Sequence, residues 1–121
     1  MYKRQVNDCG LSPQQLEANW REAIGKMHAA GAEVLILTPH WTMPPWMGMS
    51  YSDMWGRDPR PAVAGMRKLA QDLNVGLADA SLRWEHLARE GLPYVTLLWN
   101  GINHPDNRGH DLFVRELMSF F

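Results

Sequence analysis

The sequence predicts an α/β domain, with a parallel sheet flanked by helices. Stretches of helical periodicity alternate with short apolar runs in the order helix, strand, helix, strand, helix, as in βα units. The clearest strand candidate, Glu33-Val34-Leu35-Ile36-Leu37-Thr38, has a continuous apolar centre rather than an alternating one, as in strands buried on both faces. Only about two strands accompany four helices, so the sheet is expected to be incomplete, with part of its partner structure missing.

Each element has its own signals. Ser12 before Pro13 reads as a helix cap with proline in the first turn, and Leu16, Trp20, Ala23, Ile24 and Met27 recur at helical spacing. The helix is expected over about Ser12–Ala30, ended by Gly31. The strand at Glu33–Thr38 is stopped by Pro39. From His40 to Pro61 there is no periodicity, while proline, glycine, serine and aromatics are dense, which predicts a long loop. Pro61 opens a second helix through Val63, Met66, Leu69, Ala70 and Leu73, and Val75–Ala78 is a short strand. Asp79 or Ser81 caps a third helix ending at Gly91, and Asp106 or Asn107 starts a last one through Leu112, Phe113, Leu117 and Phe120.

A length of 121 residues suits one domain with a modest core. With 12 basic and 13 acidic side chains and a net charge of -1, nothing points to a nucleic-acid partner or a disordered tail. The lone Cys9 cannot form an internal disulfide. Apolar runs such as Val34–Leu37 fall far short of the roughly 20 residues of a membrane span, and MYKRQ has no apolar stretch behind it, unlike a signal peptide.

In open α/β sheets ligands sit beyond the carboxyl ends of the strands, where loops and helix N-termini converge. Three segments should therefore meet on one edge: Asn7-Asp8 before the first helix, Thr38, His40 and Trp41 after the first strand, and the turn from Asn100 to His110.

Val6-Asn7-Asp8 before a helix, the phrase Gly31-Ala32-Glu33-Val34-Leu35-Ile36-Leu37-Thr38-Pro39, and Gly101-Ile102-Asn103-His104-Pro105-Asp106-Asn107-Arg108-Gly109-His110 appear in this order and spacing. Together they resemble the C-terminal half of an SGNH/GDSL hydrolase, over nearly the whole chain after residue 5. The resemblance implies a serine esterase in a three-layer α/β/α sandwich with a flavodoxin-like parallel sheet, here incomplete. It places the general base at His104 and the oxyanion-hole amide at Asn7. Both roles fit the chemistry, because imidazole titrates near neutrality and a preorganised amide donor stabilises an oxyanion by about 3–4 kcal/mol. The implied partner is a small-molecule ester, such as an acetylated carbohydrate or a short acyl ester, and no cofactor is implied.

The chain departs from the family pattern at three points. It has no Gly-Asp-Ser nucleophile block and no second block with an oxyanion glycine, so no esterase turnover is expected from it alone. The family's acid lies three residues before the histidine. That position is Gly101, with Asn100 one step further back. An amide at Asn100 could orient His104 in one tautomer without stabilising imidazolium as a carboxylate does, and Asp106 could serve only if the turn folds back. The glycine expected two residues before Asn7 is Gln5. Residues 1–5 therefore read as foreign to the natural chain, with 6–121 as the C-terminal part of one hydrolase-like domain. Such a chain would expose a sheet edge and apolar helix faces, and self-association is expected.

The aromatic loop offers His40, Trp41 and Trp46 as substrate-binding candidates, since aromatic faces suit acyl groups or sugars. The Met and Trp residues from Trp41 to Trp55 could equally form a core for the loop. Cys9 reads as a small hydrophobe, His110 as a helix-start residue, and His28 and His86 as helix-surface residues. The spacing of His104, Asp106 and His110 matches no tight metal signature, so no metal is expected. Two other classes stay in view: a non-catalytic ligand- or partner-binding α/β module, and a metal-dependent hydrolase.

Overall fold

Helix α1 begins at Pro13 because Ser12 gives it a complete capping box, with the Ser12 hydroxyl accepting from Gln15 N and the Gln15 side chain accepting from Ser12 N. A computed structural model of the chain describes residues 11–121. Among them are four α-helices and a two-stranded parallel sheet, a mixed α/β arrangement that is mostly helical. No helix of these residues is long and apolar enough to cross a membrane. The chain forms two compact units, one reaching to Ile36 and resuming over Pro61–Leu77, the other made of Leu37–Arg60 and Ala78–Phe121.

The first unit holds α1 (Pro13–Ala29) against α2 (Pro61–Leu73). Gly31, at φ +76°, ends α1 as the sequence predicts, its N–H returning to His28 O. Ile24 from α1 and Met66, Leu69 and Ala70 from α2 bury themselves with Ile36, while Val34, Val75 and Leu77 pack beside them. Val34 and Ile36 are two apart, as are Val75 and Leu77, so α1 and α2 cover one face of the strand pair. Replacing Ser12 by alanine removes one half of the capping box and leaves Gln15 N–H without its partner. About 1 kcal/mol of stability should be lost, read as a lower urea midpoint with an unchanged slope.

The strands are shorter than the apolar runs suggest: β1 is Leu35–Leu37 and β2 is Gly76–Ala78. Gly76 N donates to Val34 O at one end and Thr38 N to Ala78 O at the other, which makes the pair parallel and marks where the ladder stops. Asn74, at φ +50°, turns the chain out of α2 in the left-handed region that asparagine tolerates.

In the second unit the segment expected as an irregular loop is folded. Pro44–Met47 and Tyr51–Asp53 form 3₁₀ turns, and Gly48, at φ +74°, closes the first. Trp41, Met47 and Met54 from this segment pack on Trp84 and Ala88 of α3 (Ala80–Arg89), together with Tyr94 and Leu98. The Trp41 and Trp84 rings meet Tyr94 edge to face, at 5.1 and 6.0 Å between centroids. Asp79 caps α3 through Leu82 N, and Asp106 caps α4 (Asn107–Leu117) through Gly109 N. The 3₁₀ turn Tyr94–Leu97 before the histidine segment has no counterpart in the sequence reading.

Candidate functional site

The histidine segment is a closed turn. Leu98 and Pro105 form an antiparallel bridge, with Trp99 N donating to His104 O and Asp106 N to Leu97 O. Gly101 sits at φ +68°, a conformation glycine adopts without strain. Inside the turn the Asn100 Oδ1 accepts three backbone N–H groups, from Ile102, Asn103 and His104, at 3.0, 3.0 and 3.1 Å. The turn thus satisfies its own amides and lifts the His104 ring into solvent. Nδ1 of that ring lies 2.7 Å from Asn103 Oδ1 and 3.0 Å from Asn100 Nδ2, and the two asparagines join through Asn100 Nδ2 and Asn103 Oδ1 at 2.9 Å.

The segment after β1 meets this turn. Met43 N donates to Ile102 O at 2.7 Å, and His40 Nε2 lies 2.8 Å from Asn103 O. The His40 ring packs near Trp84 and Phe113, each 5.7 Å between centroids. It braces the turn from behind. Of the three segments expected on one edge, those at His40–Trp41 and Asn100–His110 come together, while Asn7 lies outside the described residues.

A buried polar network holds the His40 segment in turn. Arg60 Nη1 donates to His40 O at 3.0 Å and Nη2 to Asp58 at 2.5 Å. The Asp58 carboxylate, 0 % exposed, also accepts from Ser81 Oγ at 2.5 Å, and Ser81 accepts from Trp41 Nε1 at 3.1 Å. Burial by itself raises the Asp58 pKa, but the hydrogen bonds and charge of Arg60, with the Ser81 hydroxyl, outweigh it and hold the carboxyl below its usual range. Ser81 N donates to Thr38 Oγ1, whose hydroxyl proton goes to Asp79. Every side chain of this network is hydrogen-bonded, as the large majority of buried polar groups are.

The remaining sequence candidates fall into distinct settings. Trp41 is 0 % exposed and bonded to Ser81, so of its two readings the structure places it as core, with no ring face open to a ligand. Trp46 is 59 % exposed. Trp99, not singled out in the sequence, is 72 % exposed, with its ring 6.3 Å from His104. Asp106 does not fold back: its carboxylate accepts from Gly109 N and Arg108, and these bonds hold it below the usual carboxylate range. His110 is exposed near the start of α4. Among the described residues no group of three or more His, Cys, Asp or Glu side chains could hold a metal ion. A cavity of about 130 Å³ in the first unit, lined by Leu16, Trp20, Pro61 and Met66, offers one carboxylate, Glu17, which is paired with Arg21.

Asn103 and the Asp58–Arg60 pair are the residues the sequence reading missed. Asp58 and Arg60 are close in sequence, and charges spaced two apart in a proline-rich loop usually face water. Only tertiary packing buries them.

Gly109 fixes how α4 follows the turn. A Cβ there would lie 2.8 Å from Pro105 Cβ, 2.9 Å from Leu97 O and 3.2 Å from Trp84 Cζ2, and two of those neighbours are rigid. Gly109→Ala should cost about 1–3 kcal/mol by thermal or chemical unfolding, despite alanine's better helix propensity. A stabilised variant would mean that the turn and α4 separate easily.

No protein-family model matches the chain, and neither the curated proteins nor the solved structures give a match.

Proposed function

We propose that this chain carries the general-base half of an SGNH-type serine esterase acting on carboxylic esters, such as acetylated carbohydrates or short acyl esters. The observation that carries the reading is His104 itself, a solvent-facing imidazole on a turn whose backbone is pinned by Asn100 and braced by His40. A general base needs both an accessible ring nitrogen and a fixed orientation. Three further features support it: the ordered motifs, the meeting of the His40 segment with the His104 turn, and the pair of helices covering one sheet face. The three-layer sandwich with a flavodoxin-like sheet belongs to this same reading, as does Asn7 in the oxyanion hole. The serine nucleophile would come from a Gly-Asp-Ser block that this sequence does not contain.

The test begins with the DNA upstream of the Val6 codon. An open frame running into a Gly-Asp-Ser block supports the reading, and hydrolysis of an aryl acetate by the longer product should then depend on His104. Hydrolysis indifferent to His104→Ala overturns it.

A second reading has its own observation. Trp99 and Trp46 expose broad aromatic faces on this unit, and such faces stack on sugars. A non-catalytic binding module would show sugar-dependent quenching of Trp fluorescence, abolished by Trp99→Ala, with no hydrolysis in any longer form.

A further inference from the structure

We infer that Asn103 is the positioning residue of His104: its side-chain oxygen holds the imidazole proton on Nδ1 and thereby leaves Nε2 as the basic nitrogen. The inference deepens the esterase reading, on which it rests for its purpose.

Three backbone N–H groups point at one end of the Asn100 amide, and only its oxygen can accept them. Its NH₂ end must therefore face the other way, toward Asn103 and His104. The Asn103 side-chain atom 2.9 Å from that NH₂ must be an acceptor, so it is the oxygen. His104 Nδ1 lies 2.7 Å from the same oxygen. Were Nδ1 unprotonated, two lone pairs would confront each other at that distance. With the proton on Nδ1, the oxygen uses both of its lone pairs on two donors. The Asn100 Nδ2 contact to Nδ1, at 3.0 Å, is the longer of the two and gives way.

Nδ1–H with a free Nε2 lone pair is the tautomer in which a triad histidine accepts a serine proton, and there a carboxylate secures it. Here a neutral amide takes that place, from the residue adjacent to the histidine. It selects the tautomer but adds no charge to stabilise imidazolium. The backbone supports the arrangement, because His40 grips the Asn103 carbonyl and fixes where its side chain starts.

Among the described residues the side-chain bonds of Asn103 go to Asn100 and His104, while the backbone bonds of the turn run through other atoms, so Asn103→Ala should fold. The experiment is long-range ¹⁵N–¹H correlation of the His104 ring in this chain, at a pH where the ring is neutral. The expected result is Nδ1–H in the wild type and a shift to mostly Nε2–H in Asn103→Ala. Asn103→Asp should restore Nδ1–H and, by adding a carboxylate, raise the ring's proton affinity roughly tenfold or more. A wild-type ring carrying its proton on Nε2, an Asn103→Ala ring still protonated on Nδ1, or an Asn103→Asp titration unchanged from wild type would each overturn the inference. Ring protonation is read without turnover. Failure of the hydrolysis test would therefore leave the tautomer result standing, and failure here would leave His104 a base positioned by something else.

Discussion

Asp58→Ala should destabilise the protein by about 3–5 kcal/mol, the usual cost of removing one partner from a buried ion pair. The Asp58 carboxylate is wholly buried and the Arg60 side chain is 18 % exposed, so the guanidinium left behind has little access to water. The loss spreads further, because Ser81 Oγ loses its acceptor. Guanidinium-induced unfolding measures the effect directly. A loss below about 1 kcal/mol would mean that Arg60 swings out to solvent and that the pair contributes specificity rather than stability.

The same carboxylate makes stability depend on pH. Its pKa is lower in the folded protein than the ordinary value of about 4, so the unfolded chain binds more protons between the two values. Its contribution is complete above the ordinary value and disappears as pH falls through the folded one. The acid limb of the stability curve should be shallower in Asp58→Asn than in the wild type.

The second large effect concerns His104. In a protein where a serine faces the ring, His104→Ala should lower kcat/KM by about 10²–10⁴-fold, the usual contribution of a general base. KM for a small aryl ester should change little, because the ring would act on the nucleophile's proton rather than on the bound substrate. Asn100→Ala should act differently. Its oxygen caps three amides of the turn, so its loss would loosen the turn and lower stability along with activity. A His104→Ala enzyme with full turnover would end the reading of His104 as the general base.

The helix ends were readable in the sequence because their signals are local. Ser12, Asp79 and Asp106 each cap through bonds reaching three residues along the chain, and Gly31 and Gly91 stop helices by adopting positive φ. The segment between His40 and Pro61 was opaque. Its folding is dictated by Trp84 and Tyr94, distant in sequence, rather than by any periodicity of its own. Trp41 shows the limit clearly. A tryptophan beside a strand end suits a ligand wall or a core equally, and only the Ser81 hydroxyl and the Tyr94 ring decide between them. In the histidine turn the sequence singled out His104 and Asn100 but passed over Asn103. A residue next to a histidine points elsewhere in most backbones, and only the tight path from Leu98 to Pro105 brings their side chains together.

That closed turn also bears on when the site takes shape. Its bonds link residues a few positions apart, whereas the strand ladder joins Thr38 to Ala78 with all of residues 39–77 between them. Loop-closure entropy grows with the separation of the joined residues, so the histidine turn can assemble early while the ladder waits on a distant encounter. Transient fraying of that ladder would then spare the Asn100 cap, and His104 would retain its immediate surroundings through such excursions.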